Sequence, residues 1–575
     1  MTGRPEPAAD LVGMLADWAM AGPDDLAFTF CDSWDPSGAP AGEQSLTYGD
    51  LLGRAAAVAE RVRDLGAPGA PVLLMLPAGL DFICGFFGVM LGGGVAVPIV
   101  PPDPVRPQAS FGRLRAVARD CRPAGVLTTP ALAARRAEIV AAAPDLDPAP
   151  WLGLDGRGTA RHDPAAVRRV PAEATAFLQY TSGSTADPKG VVVSHANIMA
   201  NLAAMRRLLG LGSGAVLGGW LPLFHDMGLI GLVLNGFVGR RPCHLITPAG
   251  FVQSPARWLD LITRHGVECT GSPNFGYELC ARRVPEEALA GVDLSTLAVA
   301  YNGAEPVRAA TMDRFTRRFA SRGFRREAFR PCYGLAEATL IVSGGPGAVG
   351  RFDGAALGDG LARPDAGGVP LASSGRPDER HRVVIVGDDG REVPAGRVGE
   401  VHVAGPSVTG GYRNRPEDTA RAFQRRVPGW ETAFLRTGDL GFLHDGELYL
   451  CGRTKDLIIH HGRNVYPQDI ELTAENAHDG VRAGCVAAYG SPDGDSEAVG
   501  IVAEVRPAAF ERAAEITREI RLLVHRHHEV PVHRVCLVPP HTIPKTTSGK
   551  IRRSSCRTAV DSGAWRPVLD WRRTP

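Results

Sequence analysis

Apolar residues recur along the first 440 or so positions in two alternating rhythms: short continuous runs of strand length and longer stretches of helical spacing. Residues 46–50 lead into a helical run that ends near Leu65, and residues 71–76 form an apolar run of strand length. Residues 82–100 carry no charge and approach the length of a bilayer span, but Gly92-Gly93-Gly94 divides them and Pro101-Pro102 ends them. That punctuation predicts a buried helix followed by a strand, not an integral membrane segment. Further apolar runs at 215–222, 243–247 and 297–302 continue the alternation, which predicts an α/β fold with parallel sheets and helices on their faces.

From about residue 382 the rhythm shortens to β-like pieces at 383–386, 399–403 and 446–450 separated by Gly and Pro, which predicts a small β-rich subdomain. After Cys451-Gly452-Arg453-Thr454-Lys455-Asp456 a tail begins with signals of its own at 485–489, 498–505 and 513–525. The expected organisation is a large N-terminal domain of several subdomains over 1–452, a hinge at 453–455 and a smaller mobile α+β C-terminal domain over 456–575. Residues 344–374, dominated by Gly, Ala, Pro and Asp, are expected to be an inserted excursion, and no repeat of solenoid period is evident.

Apolar residues make up 44% of the 575 and charged residues 22%, which excludes global disorder. Basic and acidic residues number 63 and 62, so no overall field favours nucleic acid or an anionic membrane, and any anionic ligand must be held locally. The eleven cysteines show no C-x-x-C spacing, which argues for reduced, mostly buried thiols over structural zinc. No basic region followed by an apolar one opens the chain, so a cytoplasmic protein is expected. Only four of the 63 basic residues are lysines, at 189, 455, 545 and 550, and each sits in a Gly-, Thr- or Pro-bearing motif. There a compact ammonium does what a planar guanidinium does not.

The densest chemical signal is Thr181-Ser182-Gly183-Ser184-Thr185-Ala186-Asp187-Pro188-Lys189-Gly190, set between an apolar run and a helical one. Small residues let backbone N–H groups approach closely, hydroxyls add donors and Lys189 adds charge, which together cradle phosphate oxygens. The spacing from Gly183 to Lys189, with Gly190 following, is not that of a Walker A loop.

This segment resembles the phosphate loop of the acyl-adenylate-forming superfamily, which includes acyl-CoA ligases, luciferases and peptide-synthetase adenylation domains. The resemblance continues in order through Trp220-Leu221-Pro222-Leu223-Phe224-His225-Asp226, Tyr301-Asn302-Gly303-Ala304-Glu305-Pro306 and Cys332-Tyr333-Gly334-Leu335-Ala336-Glu337. It ends with Arg436-Thr437-Gly438-Asp439, Gly452-Arg453-Thr454-Lys455-Asp456 and Pro544-Lys545-Thr546-Thr547-Ser548-Gly549-Lys550. It implies that ATP and Mg²⁺ are used, with Thr181 to Lys189 on the phosphates and Glu337, with Thr181, holding Mg²⁺. Asp439 is suited to accept both ribose hydroxyls, Tyr333 and Gly334 offer a face for adenine, and Asn302, Gly303 and Ala304 offer groups at its edge. Lys550 is expected to offset the repulsion between a carboxylate and the triphosphate. The resemblance further implies that Arg453 contacts ribose and that Lys455 is the hinge about which the tail rotates.

Three segments are similar to fatty acyl-AMP ligases in particular: 225–231, 272–280 and 462–471. This implies activation of a long-chain fatty acid and transfer to the phosphopantetheine thiol of an acyl carrier protein, with 344–374 at the position of an insertion associated with disfavouring coenzyme A. His225 is a candidate for the border of the acyl pocket or a hydrogen-bonded structural histidine, and Arg314 to Arg330, a basic helix-like run, is a candidate carrier dock or a solvated surface helix. A long-chain fatty acyl-CoA ligase is the alternative reading, and a catalytically silent nucleotide-binding scaffold the third.

Overall fold

The computed structural model describes residues 10–35, 38–66, 68–102, 107–156, 163–181, 188–212, 214–461, 463–493, 496–546 and 549–573. Among these residues two large sheets carry the N-terminal part. The first runs in the order Trp151–Gly153, Gly125–Thr128, Pro71–Met75, Val95–Pro98, Thr175–Tyr180, Gly190–Ser194, all parallel except the last pair. The second has a parallel centre of Phe329–Gly334, Val299–Asn302, Cys269–Ser272, Leu217–Gly219, Cys243–Ile246 and Leu26–Cys31, closed at both edges by antiparallel strands. Helices cover these sheets, so their strands are buried on both faces, which is why they read in the sequence as unbroken apolar runs. The uncharged stretch folds as expected: helix Leu80–Leu91 is buried over nearly its whole length and strand Val95–Pro98 follows. No helix among the described residues is long and apolar enough to cross a membrane.

A smaller antiparallel sheet joins Arg382–Val386, Gly399–Ala404, Ala433–His444 and Glu447–Arg453, with the short Arg425–Arg426 at its edge. The tail builds its own sheet from Val481–Asp493, Ser496–Val505, Val532–Val538 and Leu569–Arg572. Helices Pro467–Glu475 and Ala513–His528 cover it over a core that includes Ile470, Ile501, Ile520 and Leu537.

Two segments differ from their sequence patterns. The run from Arg314 to Arg330 is not one helix: helix Ala309–Phe319 ends, Gly323 turns the chain at φ 85°, and strand Phe329–Gly334 begins before the run is over. Its cations are also largely matched, Arg314 by Glu278, Arg318 and Arg322 by Glu286, and Arg326 by Asp313, which suits a solvated surface better than a basic dock. The excursion at 344–374 contains a hairpin, Val349–Phe352 against Val369–Ala372, and a short helix Gly354–Gly358. Both strands are largely exposed, so no alternation betrays them; Phe352, Leu357 and Ala362 anchor the segment, packing with Phe442, Tyr449 and Tyr466.

Candidate active site

The segment that resembles a phosphate loop follows Tyr180 of an antiparallel pair, Thr175–Tyr180 with Gly190–Ser194, whose register sets Tyr180 opposite Gly190. Its neck is closed by the Thr181 N–H donating to the Lys189 carbonyl at 3.2 Å. A Cβ on Gly190 would lie 2.8 Å from the Tyr180 ring, which accounts for glycine directly after the lysine. Ser182, Gly183, Ser184 and Thr185 lie outside the described residues. The Lys189 ammonium stands 3.1 Å from an Asp418 oxygen and 4.9 Å from the centroid of the Tyr412 ring. The Tyr412 hydroxyl in turn donates to Glu337 at 2.8 Å, and burial raises the Glu337 carboxyl above its ordinary pKa despite that bond.

At the other end, strand register places Asp439 opposite Arg453. The Arg453 Nε donates to one carboxylate oxygen of Asp439 at 2.9 Å and the Tyr333 hydroxyl donates to the other at 2.7 Å. Each oxygen keeps a further lone pair, so two vicinal hydroxyls can still be accepted. Asp439 raises the pKa of Arg453, and burial raises that of Tyr333, so a cation and a neutral phenol flank the Asp439 side chain. Asn302 and Tyr333 lie at or near the carboxyl ends of parallel strands, where open α/β sheets place ligands. The Asn302 Oδ1 is buried with no hydrogen-bond partner among the described residues, a ready acceptor for an exocyclic amine. A Cβ on Gly303 would come 2.7 Å from the Cys332 sulfur and one on Gly334 1.7 Å from the Leu340 carbonyl, while Ala304 takes φ 65°, so the backbone itself forms this wall.

Lys550 reaches the same site from the tail. Its N–H donates to Thr546 Oγ1 at 3.0 Å, and Gly549, at φ 86°, sits so close over the Phe275 ring that an added Cβ would approach it to 3.2 Å. Burial, then the neighbouring Arg453, lowers the pKa of the Lys550 ammonium, and Asp226, Asp439 and Glu305 partly offset this. His225 Nδ1 lies 2.6 Å from Asp226 Oδ1, which also accepts from the Met227 N–H at 2.7 Å. Burial works to raise the pKa of Asp226, but His225, Lys550 and that N–H together hold it below its ordinary value. Lys455 occupies the turn Thr454–Asp456 between the two parts of the chain, its pKa lowered by burial and by Arg453. The turn is tied to the tail by Arg553, which bonds Asp456 at 2.8 Å and Glu471 at 2.6 Å.

No group of three or more His, Cys, Asp or Glu side chains forms a metal cage among the described residues. A cation at Glu337 would therefore draw most of its ligands from phosphate and water, which is how Mg²⁺ is usually held. Sequence reasoning assigned no role to Asp226 or Glu305, although both stood inside quoted motifs, and it missed Tyr412 and Asp418 altogether. Nothing marks residues 410–418 in the sequence; pairing of Val191 with Tyr412 brings them to Lys189.

Asp418, paired with Lys189 at 3.1 Å, would compete with a phosphate for that lysine. Asp418→Asn is expected to lower the KM for ATP by about two- to fivefold, the range of a partly exposed ion pair. Exchange of labelled pyrophosphate at varied ATP measures it, and an unchanged or raised KM would show that the pair does not restrain the lysine.

The AMP-binding enzyme family model matches residues 15–413. The long-chain-fatty-acid–AMP ligase FadD26 of Mycobacterium marinum is 38% identical to this chain, over 94% of it and 96% of the relative. The medium-chain-fatty-acid–[acyl-carrier-protein] ligase JamA of Moorena producens is 37% identical, over 90% of each chain. Among solved structures, the fatty acyl-adenylate ligase of Legionella pneumophila in complex with acyl adenylate and pyrophosphate superposes with a TM-score of 0.73 at 34% identity, covering 98% of both chains. A cluster of Asn302, Tyr333, Asp439 and Arg453 at or near strand ends thus accompanies similarity over nearly the full length, and the chain belongs to the AMP-binding enzymes, in their fatty acyl-AMP ligase branch.

Proposed function

We propose that this protein joins ATP to a long-chain fatty acid as acyl-AMP, releasing pyrophosphate, and then passes the acyl group to the phosphopantetheine thiol of an acyl carrier protein in the cytoplasm. The observation that carries the reading is that the Lys550 loop of the tail, Gly549 lying against the Phe275 ring, comes near enough for Asp439 and Arg453 to act on the Lys550 charge, while those two pair with each other at 2.9 Å. Asp439 accepts the ribose hydroxyls beside Arg453, Tyr333 and the 302–304 backbone frame adenine, and Thr181 to Lys189 carry the phosphates. Mg²⁺ would supply charge neutralisation between phosphates, held by Glu337 with the Thr181 hydroxyl.

A carboxylate oxygen of the fatty acid bonds to the α-phosphorus while the bond to the bridging oxygen breaks, and pyrophosphate leaves with the electron pair. The Lys550 ammonium offsets the repulsion between the two anions. The site then reopens when the tail, residues 456–575, rotates about Lys455 against the domain at 1–452 and carries Lys550 away. The carrier thiol attacks the acyl carbonyl, AMP leaves, and the thiol proton passes to solvent. Tyr466 of the tail packs with Phe352 and Leu357 of the excursion, and the Gly358 position abuts Arg463 and Asn464, contacts that favour restricted access over an open coenzyme A path.

With ATP, a long-chain acid and both acceptors present, thioester is expected to accumulate on the carrier in preference to coenzyme A, read by mass measurement of the loaded pantetheine arm. Efficient formation of acyl-CoA would replace this reading with the coenzyme A ligase.

A further inference from the structure

Helix His195–Leu209 begins directly after the strand Gly190–Ser194, and three of its polar side chains reach segments far along the chain. Arg207 donates to both oxygens of Asp378, at 2.9 and 3.0 Å. Asp378 lies 3.1 Å from His381 Nδ1, and His381 Nε2 lies 2.6 Å from the Ser407 hydroxyl. Burial works to raise the Asp378 carboxyl, but Arg207, the Arg380 N–H and His381 together hold it below its ordinary pKa. An ionised Asp378 takes the His381 Nδ1 proton, and the ring, kept neutral by burial, accepts from Ser407 at Nε2.

Aspartate, histidine and serine thus stand in the relation of a nucleophilic triad. Ser407 is 0% exposed, and the His381 and Asp378 side chains are 0% and 1% exposed, so no substrate reaches the hydroxyl. What the three groups do lies in what they hold, the segment 406–412. The same helix fixes it twice more: Asn197 donates to the Pro406 and Val408 carbonyls at 3.1 and 3.3 Å, and the Asn201 amide donates to Ser407 Oγ at 3.0 Å. The segment in turn grips Glu337 at two points. The Thr409 N–H donates to its backbone carbonyl at 2.9 Å, and the Tyr412 hydroxyl donates to its carboxylate at 2.8 Å. Nearby, Thr339 takes φ 70°, an unfavourable angle for a β-branched residue, and its hydroxyl is tied to the Ser407 carbonyl at 2.7 Å.

We propose that Asp378, His381 and Ser407 are positioning residues for Glu337: they lock the 406–412 segment to the helix that follows the phosphate-loop strand, and so hold the Glu337 carboxylate ready for a cation. This deepens the adenylation reading and rests on it. Supporting groups of this kind are worth about ten- to a hundredfold in metal affinity, because a carboxylate already fixed by its neighbours has no freedom to lose when the ion arrives. No proton leaves the brace and no bond in it is broken by the reaction.

Calorimetry of ATP binding to the full chain, once in EDTA and once in saturating Mg²⁺, separates this role from a merely structural one. Ser407→Ala and His381→Ala are each expected to raise the Kd for ATP in Mg²⁺ about tenfold, while the Kd in EDTA stays within about twofold of wild type. His381→Gln, which keeps an amide where the ring carries Nε2, should recover part of the loss, and it carries the same comparison where an alanine variant fails to fold. A lowered melting temperature with the Mg²⁺ enhancement of ATP binding intact, or equal losses with and without the ion, overturns the brace alone. Wild-type protein that binds no ATP, or binds it equally in EDTA and in Mg²⁺, overturns the reading of Glu337 on which the brace rests.

Discussion

Lys550→Ala is expected to lower fatty-acid-dependent exchange of labelled pyrophosphate into ATP by about 10²–10³-fold, the scale of removing one preorganised charge from a water-excluded site. The reason lies in what surrounds the ammonium. Asp226, Glu305 and Asp439 all act on it, and Arg453 is already committed to Asp439. Without Lys550 an incoming fatty carboxylate and a triphosphate would meet three carboxylates with little to offset them. Transfer from supplied acyl-AMP to the carrier should stay within a fewfold of wild type, because that step needs the lysine out of the site. Burial and Arg453 disfavour the charged amine, so its removal relieves an unfavourable charge, and the melting temperature should hold or rise. Exchange within a fewfold of wild type in Lys550→Ala would show that the charge is supplied elsewhere.

Much of this site was legible because its parts are local. A lysine after Asp-Pro and before Gly announces a loop between two strands, and Gly190 is glycine because the Tyr180 ring leaves no room for a Cβ. The parallel strands were legible for a different reason, since burial on both faces leaves continuous apolar runs. What could not be read depends on long-range register. Tyr412 reaches Glu337, 75 positions away, only because the chain pairs Tyr412 with Val191. The hairpin in the excursion escaped notice because its strands bury almost nothing, and the periodicity by which strands are recognised comes from burial. His225 was read as a candidate for the border of the acyl pocket or as a hydrogen-bonded structural histidine; its contact with Asp226 sets it beside a carboxylate that acts on Lys550.

Asp439→Ala should have the second large effect, and it separates binding from folding. The carboxylate performs two tasks at once: it accepts from Tyr333 and Arg453, and it keeps lone pairs for the ribose hydroxyls. Its loss leaves the half-exposed Arg453 guanidinium and the buried Tyr333 hydroxyl without their shared acceptor, and an unpaired buried hydroxyl costs about 1–3 kcal/mol. The KM for ATP is expected to rise about a hundredfold in the exchange assay, and the melting temperature to fall by several degrees. Asp439→Asn distinguishes the two contributions. It keeps one acceptor oxygen for Tyr333 and most of the packing, so stability should largely return, whereas the amide cannot balance Arg453 or accept two hydroxyls, so the KM for ATP should remain raised at least tenfold. If the asparagine protein regained wild-type affinity for ATP, Asp439 would be a structural strut between two strands and the ribose would have to be held by another group.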